Sequence, residues 1–470
     1  MKNPNLTRPG LGAITLCLTM TMSAADAGTV QPAVPAEVSA QAFEILKRSI
    51  AFRTFPGEDQ VPEYASYLAE VLKAGGFAPE DITITPFEET AIFVARYRGT
   101  DPGAKPIVIG GHMDVVPALK SDWQRDPFTA VIEDGFVFGR GSSDNKFGIA
   151  TMVATLVWLK SEGFTPTRDI LLALTGDEET AQATTAILSQ QLKNAELYLN
   201  SDAGGANLGD DGRPIVYGMQ AAEKTYVDFE VSFANPGGHS SRPSADNAIY
   251  SLARAIDRIA AYRFPTQATE LTLAYFRAAG ALTAGADGAA MLRYAEEPTD
   301  REAIEYLSSR PEYVGQLGTT CVATMLQAGH ARNALPQHAM VNVNCRVFPG
   351  VSIESVRQTL EDVVADPTAQ FTVLGNPIPS DASPLRDDVM AALRKAIDLR
   401  APGLPIVPAM SAGATDGLYF RNLGVPSYGV SGLFMHPKDN YAHGLNERIP
   451  VAVFDGALIQ WHSLLTDLAR

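Results

Sequence analysis

This 470-residue chain predicts an α/β fold: a largely parallel sheet covered by helices, with a smaller α+β domain inserted into it. Three observations carry that prediction. Between Ala36 and about Ala221, short apolar runs alternate with helical segments, the pattern of a parallel sheet covered on both faces. Near Ala222 the text changes to period-two alternation, as in "EKTYVDFEVSF", which marks half-exposed strands. From about Ser383 to Arg470 the first style returns. A chain of this length exceeds what one core usually serves, so two domains are expected.

Taken in order, the first thirty residues stand apart. Lys2 and Arg8 precede an apolar run from Leu11 to Met22, and small residues then lead to Ala25-Asp26-Ala27. That is the order of a secretory signal peptide over residues 1–27, cleaved after Ala27, and it predicts a periplasmic or secreted protein. Leu16 before Cys17 does not suit a lipoprotein signal. "EYASYLAEVLKAGGF" then reads as an amphipathic helix stopped by glycines. "PIVIGGHMD", "FGIATMVATLVWLKSEG" and "RDILLALTGDEE" read as strand, helix and strand, within a first domain segment spanning 36–221.

The inserted domain is expected over 222–380. Its first strand precedes the helix "ADNAIYSLARAIDRIAAY" and a mostly helical insert at about 263–312. Two cysteine-bearing strands, "TTCVATMLQAG" and "AMVNVNCRVFPG", come next, then the helix "SIESVRQTLEDVVAD" and the strand "AQFTVLG". Without the insert this is a split β-α-β, or ferredoxin-like, order. A hairpin pairing Gln327 with Ala339 would set Cys321 opposite Cys345, as a disulfide or as two buried thiols. The Pro-rich text "NPIPSDASP" reads as the return, and 381–470 completes the first domain.

The formal charge of -16 argues against nucleic-acid or anionic-membrane partners, which need a basic surface. Beyond the N-terminus no stretch is long and apolar enough to span a bilayer.

Function is carried by polar residues at the ends of the apolar runs, where ligands gather in sheets of this kind. His112 and Asp114 come from "GGHMDVVP", Asp144 from "GRGSSDNK", Glu178 and Glu179 from "GDEE", Asp202 from "NSDAGG" and His443 from "AHGLNERI". Imidazole and carboxylate are the usual non-thiolate ligands of zinc, and there are more here than one tetrahedral ion uses. Two divalent ions would be balanced by three ligating carboxylates and a bridging hydroxide, a neutral set suited to a partly dry site. Each element alone has a plainer reading. The histidine of "HMD" could be structural, "GDEE" a helix start, Asp144 a cap, Asp202 a turn residue and His443 a loop residue. Their joint order makes the metal reading the stronger one.

The motifs "GGHMDVVP", "W..DPF" (Trp123 to Phe128), "GRGSSDNK", "GDEE", "GGHSSRP" and "HGLNE" together resemble a dizinc metallopeptidase family. That family includes glutamate carboxypeptidase, aminoacylase, succinyl-diaminopimelate desuccinylase, carboxypeptidase S and the carnosinase-type dipeptidases. The resemblance implies the zinc-exopeptidase fold with a lid and dimerisation domain, and two Zn2+ ions, whose sites cobalt or manganese can also occupy. It assigns His112 and Asp202 to one ion, Glu179 and His443 to the other, and Asp144 to a bridge. Asp114 would orient His112, and Glu178 would be the general base.

The resemblance also implies that His239, in "GGHSSRP", reaches the active site of a partner subunit in a homodimer built through the smaller domain. Arg346, Asn333, Gly413 and Thr415 match substrate-contacting positions, Arg346 being suited to gripping a carboxylate. Ala414 stands where many members have glycine, and Asn145 where relatives often have a second Asp. His330, His338, His436 and His462 match no metal position.

Three functions follow as expectations. The first is an exopeptidase cleaving the amide next to a free C-terminal carboxylate in dipeptides or short peptides. The second is an N-acyl-amino-acid amidohydrolase, with an acyl group in place of the N-terminal residue. The third, a non-catalytic binding protein on the same fold, would be expected to have lost Glu178 or a ligand, and all are present.

Overall fold

The computed structural model describes residues 33–470, and the expected leader at 1–27 lies outside them. A ten-stranded sheet organises the larger part. At its centre the strands Ile107–His112, Ile170–Thr175, Leu197–Asn200 and Ser427–Gly429 run parallel. Their side chains alternate between two cores, as a strand buried on both faces requires. Ile107, Ile109, Leu172 and Leu174 join the helices Ala36–Ala51, Lys146–Ser161 and Val453–Leu468. Val108, Ala173 and Tyr198 face Leu188 and Phe420, on the helices Ala183–Gln191 and Gly417–Asn422. The expected α/β class is what the structure has.

Antiparallel strands flank that parallel centre. Ile82–Phe87 and Thr90–Tyr97 form a hairpin at one side, and Gly205–Leu208 pairs with Pro214–Glu223 at the other. A separate three-stranded sheet joins Val131–Glu133, Phe136–Phe138 and Arg448–Pro450. Because Arg448 pairs with Phe138, this small sheet sets the loops 139–144 and 443–447 side by side.

After Glu223 the chain enters a four-stranded antiparallel sheet of Thr225–Ala234, Thr320–Ala328, His338–Val347 and Gln370–Leu374. Val227, Phe229, Val231 and Phe233 point inward with Leu252 and Ala255 of the helix Ala248–Ala261 and Val356 and Leu360 of the helix Ile353–Val364. The insert folds as four helices, Glu270–Leu282, Gly285–Glu296, Arg301–Ser308 and Pro311–Leu317, around Phe276, Met291 and Tyr294. It therefore runs a few residues past the expected end at 312.

The cysteine strands pair with one correction. Cys321 lies opposite Cys345, and the two form a disulfide with Cα atoms 4.1 Å apart. A bulge between Ala323 and Met325 then shifts the register, so Gln327 faces Met340 rather than Ala339. One extra residue on the outer strand makes that offset, which is common at sheet edges. No helix among the described residues is long and apolar enough to cross a membrane.

Candidate metal and catalytic site

Parallel strands end on one edge of a sheet, and three of them end here. His112 closes its strand, level with Thr175. Asn200 is level with Gly110, so Ser201 and Asp202 follow at the same edge. Gly111 is required beside His112, because a Cβ there would lie 2.2 Å from Asn145 Oδ1.

Asp144 is the centre of the cluster. Its Oδ1 lies 2.8 Å from His112 Nε2, and its Oδ2 lies 3.1 Å from His443 Nε2. His443 Nε2 is also 2.9 Å from Glu179 Oε1, and His112 Nε2 is 3.5 Å from Asp202 Oδ1. Ligand atoms of His112, Asp144 and Glu179 all fall within 4.8 Å of one another. One carboxylate therefore faces two imidazoles, each backed by a second carboxylate. That is the arrangement a bridged pair of ions needs.

The histidines are oriented for it. His112 Nδ1 sits 3.0 Å from the backbone carbonyl of Asp114 and 3.4 Å from its carboxylate. Donation to that carbonyl leaves Nε2 as the free nitrogen. The Asp114 carboxylate chiefly accepts the backbone N–H groups of Glu178 at 3.2 Å and Glu179 at 3.0 Å. Asp114 thus orients His112 mainly through its backbone, while its side chain shapes the "GDEE" loop. The remaining acid of that loop, Asp177, accepts from the amides of Ala183 and Thr184 and caps the following helix.

The electrostatics of the cluster show what kind of ligand it suits. Burial, reinforced by neighbouring acids, pushes Glu178 up to about 10, and burial pushes Asp202 up to about 7. Burial also raises Asp416 to about 6, although Thr175 and Thr185 donate to it. Against its own burial, hydrogen bonds to His112 and His443 hold Asp144 below the usual carboxylate range. Hydrogen bonds to Asp144 and Glu179 raise His443 to about 10. So many acids around two imidazoles need positive charge, and the oxygen and nitrogen donors suit divalent cations. The residues fit a dinuclear centre.

Sequence reasoning missed the groups that hold the ligands in place. Glu447, fully buried, accepts backbone N–H groups from Gly141, Ser143 and Asp144 at 2.9, 2.7 and 3.1 Å, and pairs with Arg140 at 2.8 Å. It stands in the quoted "HGLNE" and Arg140 in "GRGSSDNK", which was the available signal. Asn145 receives the Ser201 hydroxyl at 2.7 Å and donates to Asp202 Oδ1 at 3.2 Å. The amide thus supplies a donor where an acid would repel Asp202.

The other candidates separate into two places. A cavity of about 430 Å³ is lined by Glu178, Glu179, Gln182, Lys224 and Arg346, with Ala414 and Tyr419. Arg346 stacks on Tyr226 at 4.6 Å and donates to the Ala412 carbonyl. Gly413 donates its N–H to Ser411 Oγ, and Thr415 turns inward to donate to Glu223 Oε1 at 2.5 Å. Ala414, rather than Gly413 or Thr415, therefore lines this cavity. His239 and Asn333 lie elsewhere, exposed on a two-stranded ribbon where Ser240 N–H donates to the Asn333 carbonyl. Of the remaining histidines, His330 and His338 are exposed, His436 meets Asp210, and His462 packs at a tilt against Trp158.

Comparison with known proteins gives a consistent result. A family model described as "Peptidase family M20/M25/M40" matches residues 108–467. The N-fatty-acyl-amino acid synthase/hydrolase of Homo sapiens is 28% identical over 373 residues, 76% of this chain and 73% of the relative. A probable carboxypeptidase S-like protein of Dictyostelium discoideum is 26% identical over 375 residues, covering 76% and 70%. An M20 family metallo-carboxypeptidase from Sulfolobus solfataricus superposes with a TM-score of 0.64 at 18% identity, covering 92% of this chain and 99% of that one.

Proposed function

Since this chain belongs to peptidase family M20/M25/M40 and is an enzyme of the metallopeptidase and amidohydrolase type, we propose that it hydrolyses the amide next to a free C-terminal carboxylate in dipeptides or short peptides. One observation carries this reading. Glu178, Glu179 and Arg346 line one cavity, so a carboxylate held by Arg346 keeps the adjoining amide in the cavity that the two acids share.

His112 and Asp202 would hold one ion, Glu179 and His443 the other, with Asp144 between them. Zinc suits this mixture of imidazole and carboxylate, and cobalt or manganese can take the same donors. When bound, such ions lower the pKa of water and polarise the scissile carbonyl. Glu178 accepts the proton lost by the attacking water and delivers it to the leaving nitrogen, so the C–N bond breaks to a free amine. Gln182, donating to Glu178 Oε1 at 3.1 Å, holds that carboxylate in place.

The second reading, an N-acyl-amino-acid amidohydrolase, is favoured by the likeness to the N-fatty-acyl-amino acid synthase/hydrolase. It uses the same residues, with an acyl group in place of the N-terminal residue. Metal-loaded enzyme assayed on dipeptides and on N-acyl amino acids of the same C-terminal residue separates the two. Faster turnover of the dipeptides supports the first reading, and exclusive turnover of the acyl series replaces it with the second.

A homodimer through the smaller domain is part of the proposal, with His239 of a second copy stabilising the oxyanion. The strand Thr320–Ala328 supports it, being a sheet edge with Val322, Met325 and Leu326 exposed. Export to the periplasm or beyond is proposed from the leader sequence, and the Cys321–Cys345 disulfide suits an oxidising compartment.

A further inference from the structure

Lys224 is a buried cation without a carboxylate. Its residue is 2% exposed, and its Nζ meets Thr320 Oγ1 at 3.5 Å. Among the described residues no acid forms an ion pair with it. The adjacent acid, Glu223, is committed elsewhere. It pairs with Arg421 at 2.5 Å and accepts from Gln220 and Thr415 at 2.9 and 2.5 Å. Burial together with the nearby positive charge of Arg346 lowers Lys224 to about 8. Both Lys224 and Arg346 line the cavity that Glu178 and Glu179 also line.

An unpaired charge under cover is costly unless an anion joins it. Here two cations face one cavity in a chain whose formal charge is -16. The wall carrying them needs an anion; the acids lining the cavity, Glu178 and Glu179, belong to the candidate metal site, and Glu223 is held by Arg421. We propose that Lys224 is a second cation of the carboxylate subsite and shares the free carboxylate of the substrate with Arg346. The inference rests on the reading that a free carboxylate adjoins the scissile amide. Arg346 has one N–H group directed to the Ala412 carbonyl and its plane set on Tyr226, which fixes one side of the subsite. Lys224, the residue before the strand Thr225–Ala234 whose Tyr226 pairs with Arg346, supplies a point charge and so discriminates a carboxylate from a neutral carboxamide.

The test uses full-length, metal-loaded enzyme with a dipeptide and its C-terminal carboxamide, and an N-acyl amino acid with its carboxamide. Lys224→Met is expected to raise KM for the carboxylate substrates about tenfold or more, the usual effect of losing a hydrogen bond to a charged group. It should leave kcat within about twofold and leave the carboxamides unaffected. Lys224→Arg should restore most of the affinity. Thermal melting checks folding, and Lys224→Met should melt no lower than wild type, because it removes an unpaired buried charge. Equal losses on carboxylate and carboxamide substrates, or no loss on either, overturn the Lys224 assignment alone. A wild type that accepts carboxamides as readily as free carboxylates overturns the underlying reading, and this inference with it.

Discussion

The carboxylate of Glu447 accepts the backbone N–H of Asp144 at 3.1 Å, across 303 positions of sequence. The same carboxylate collects the amides of Gly141 and Ser143 and the Arg140 guanidinium. It forms the rigid underside of the loop that presents Asp144 to both histidines. Glu447→Gln keeps the shape but turns one acceptor into a donor facing donors and leaves Arg140 uncompensated. It should cost about 3 kcal/mol of stability and weaken metal binding about 10- to 100-fold. Thermal melts and competition with a chelating indicator measure the two effects. Wild-type metal affinity in a destabilised variant would limit Glu447 to a structural role.

Glu178 and Glu179 are neighbours with separate partners, Gln182 for the first and His443 for the second. Glu178→Gln should lower kcat about 10²- to 10⁴-fold with metal content retained. Glu179→Gln should instead reduce metal content. Elemental analysis of each purified variant beside its kinetics shows whether the division holds. Loss of metal from Glu178→Gln would contradict it.

The metal-free protein should lose stability as pH rises. Glu178 and Asp202 are held up to about 10 and about 7, and His443 to about 10. All three exceed their ordinary values, so between the unfolded and folded pKa the native state binds more protons, and stability falls with increasing pH. For Asp202 the window runs from the ordinary aspartate range to about 7, for Glu178 from the glutamate range to about 10, and for His443 from about 6.5 to about 10. In metal-loaded protein Asp202 and His443 would face cations instead of holding protons. Melting temperatures from pH 5 to 7 should therefore fall in chelator-treated protein and stay nearly level in metal-loaded protein; above about 7 the buried Lys146 and Lys224, held below their ordinary values, oppose the trend. A rise from pH 5 to 7 in the chelated sample would show that the cluster does not hold its protons.

The Cys321–Cys345 bond closes a loop of sequence separation 24, which constrains the unfolded chain by about 3 kcal/mol in the loop-entropy model. Reduction, or replacement of both cysteines by serine, should lower the melting temperature. It should leave kcat/KM unchanged below the transition, since neither sulfur reaches the metal cluster. Loss of activity without loss of stability would place the disulfide in the catalytic pathway.

His112, Glu179 and Asp202 are legible as candidate ligands because each stands at or just after the end of an apolar strand, whereas Asp144 and His443 stand in loops and are legible only through their motifs. Strand ends place polar residues at the ligand edge, and His112 and Asp202 need only a parallel sheet to meet. The groups beneath them were not legible. Glu447 and Asp144 are brought together by the three-stranded sheet, whose short strands Phe136–Phe138 and Arg448–Pro450 carry little periodic signal. The family resemblance sets Thr415 at the substrate, yet its hydroxyl donates to Glu223, a partner 192 positions away. The register of the cysteine hairpin failed at its far end because a bulge leaves no mark in composition. Lys224 stands at the start of the period-two run "EKTYVDFEVSF", where nothing in the pattern signals its burial.

Metal stoichiometry tests the central claim most directly. Elemental analysis of the purified wild type, of His112→Ala and of His443→Ala counts the ions that each imidazole supports. Two ions per wild-type chain, with one lost from each variant and turnover abolished in both, is the predicted result. A fully active wild type holding no divalent ion, or variants that retain both ions, would contradict the dinuclear centre on which the proposed chemistry depends.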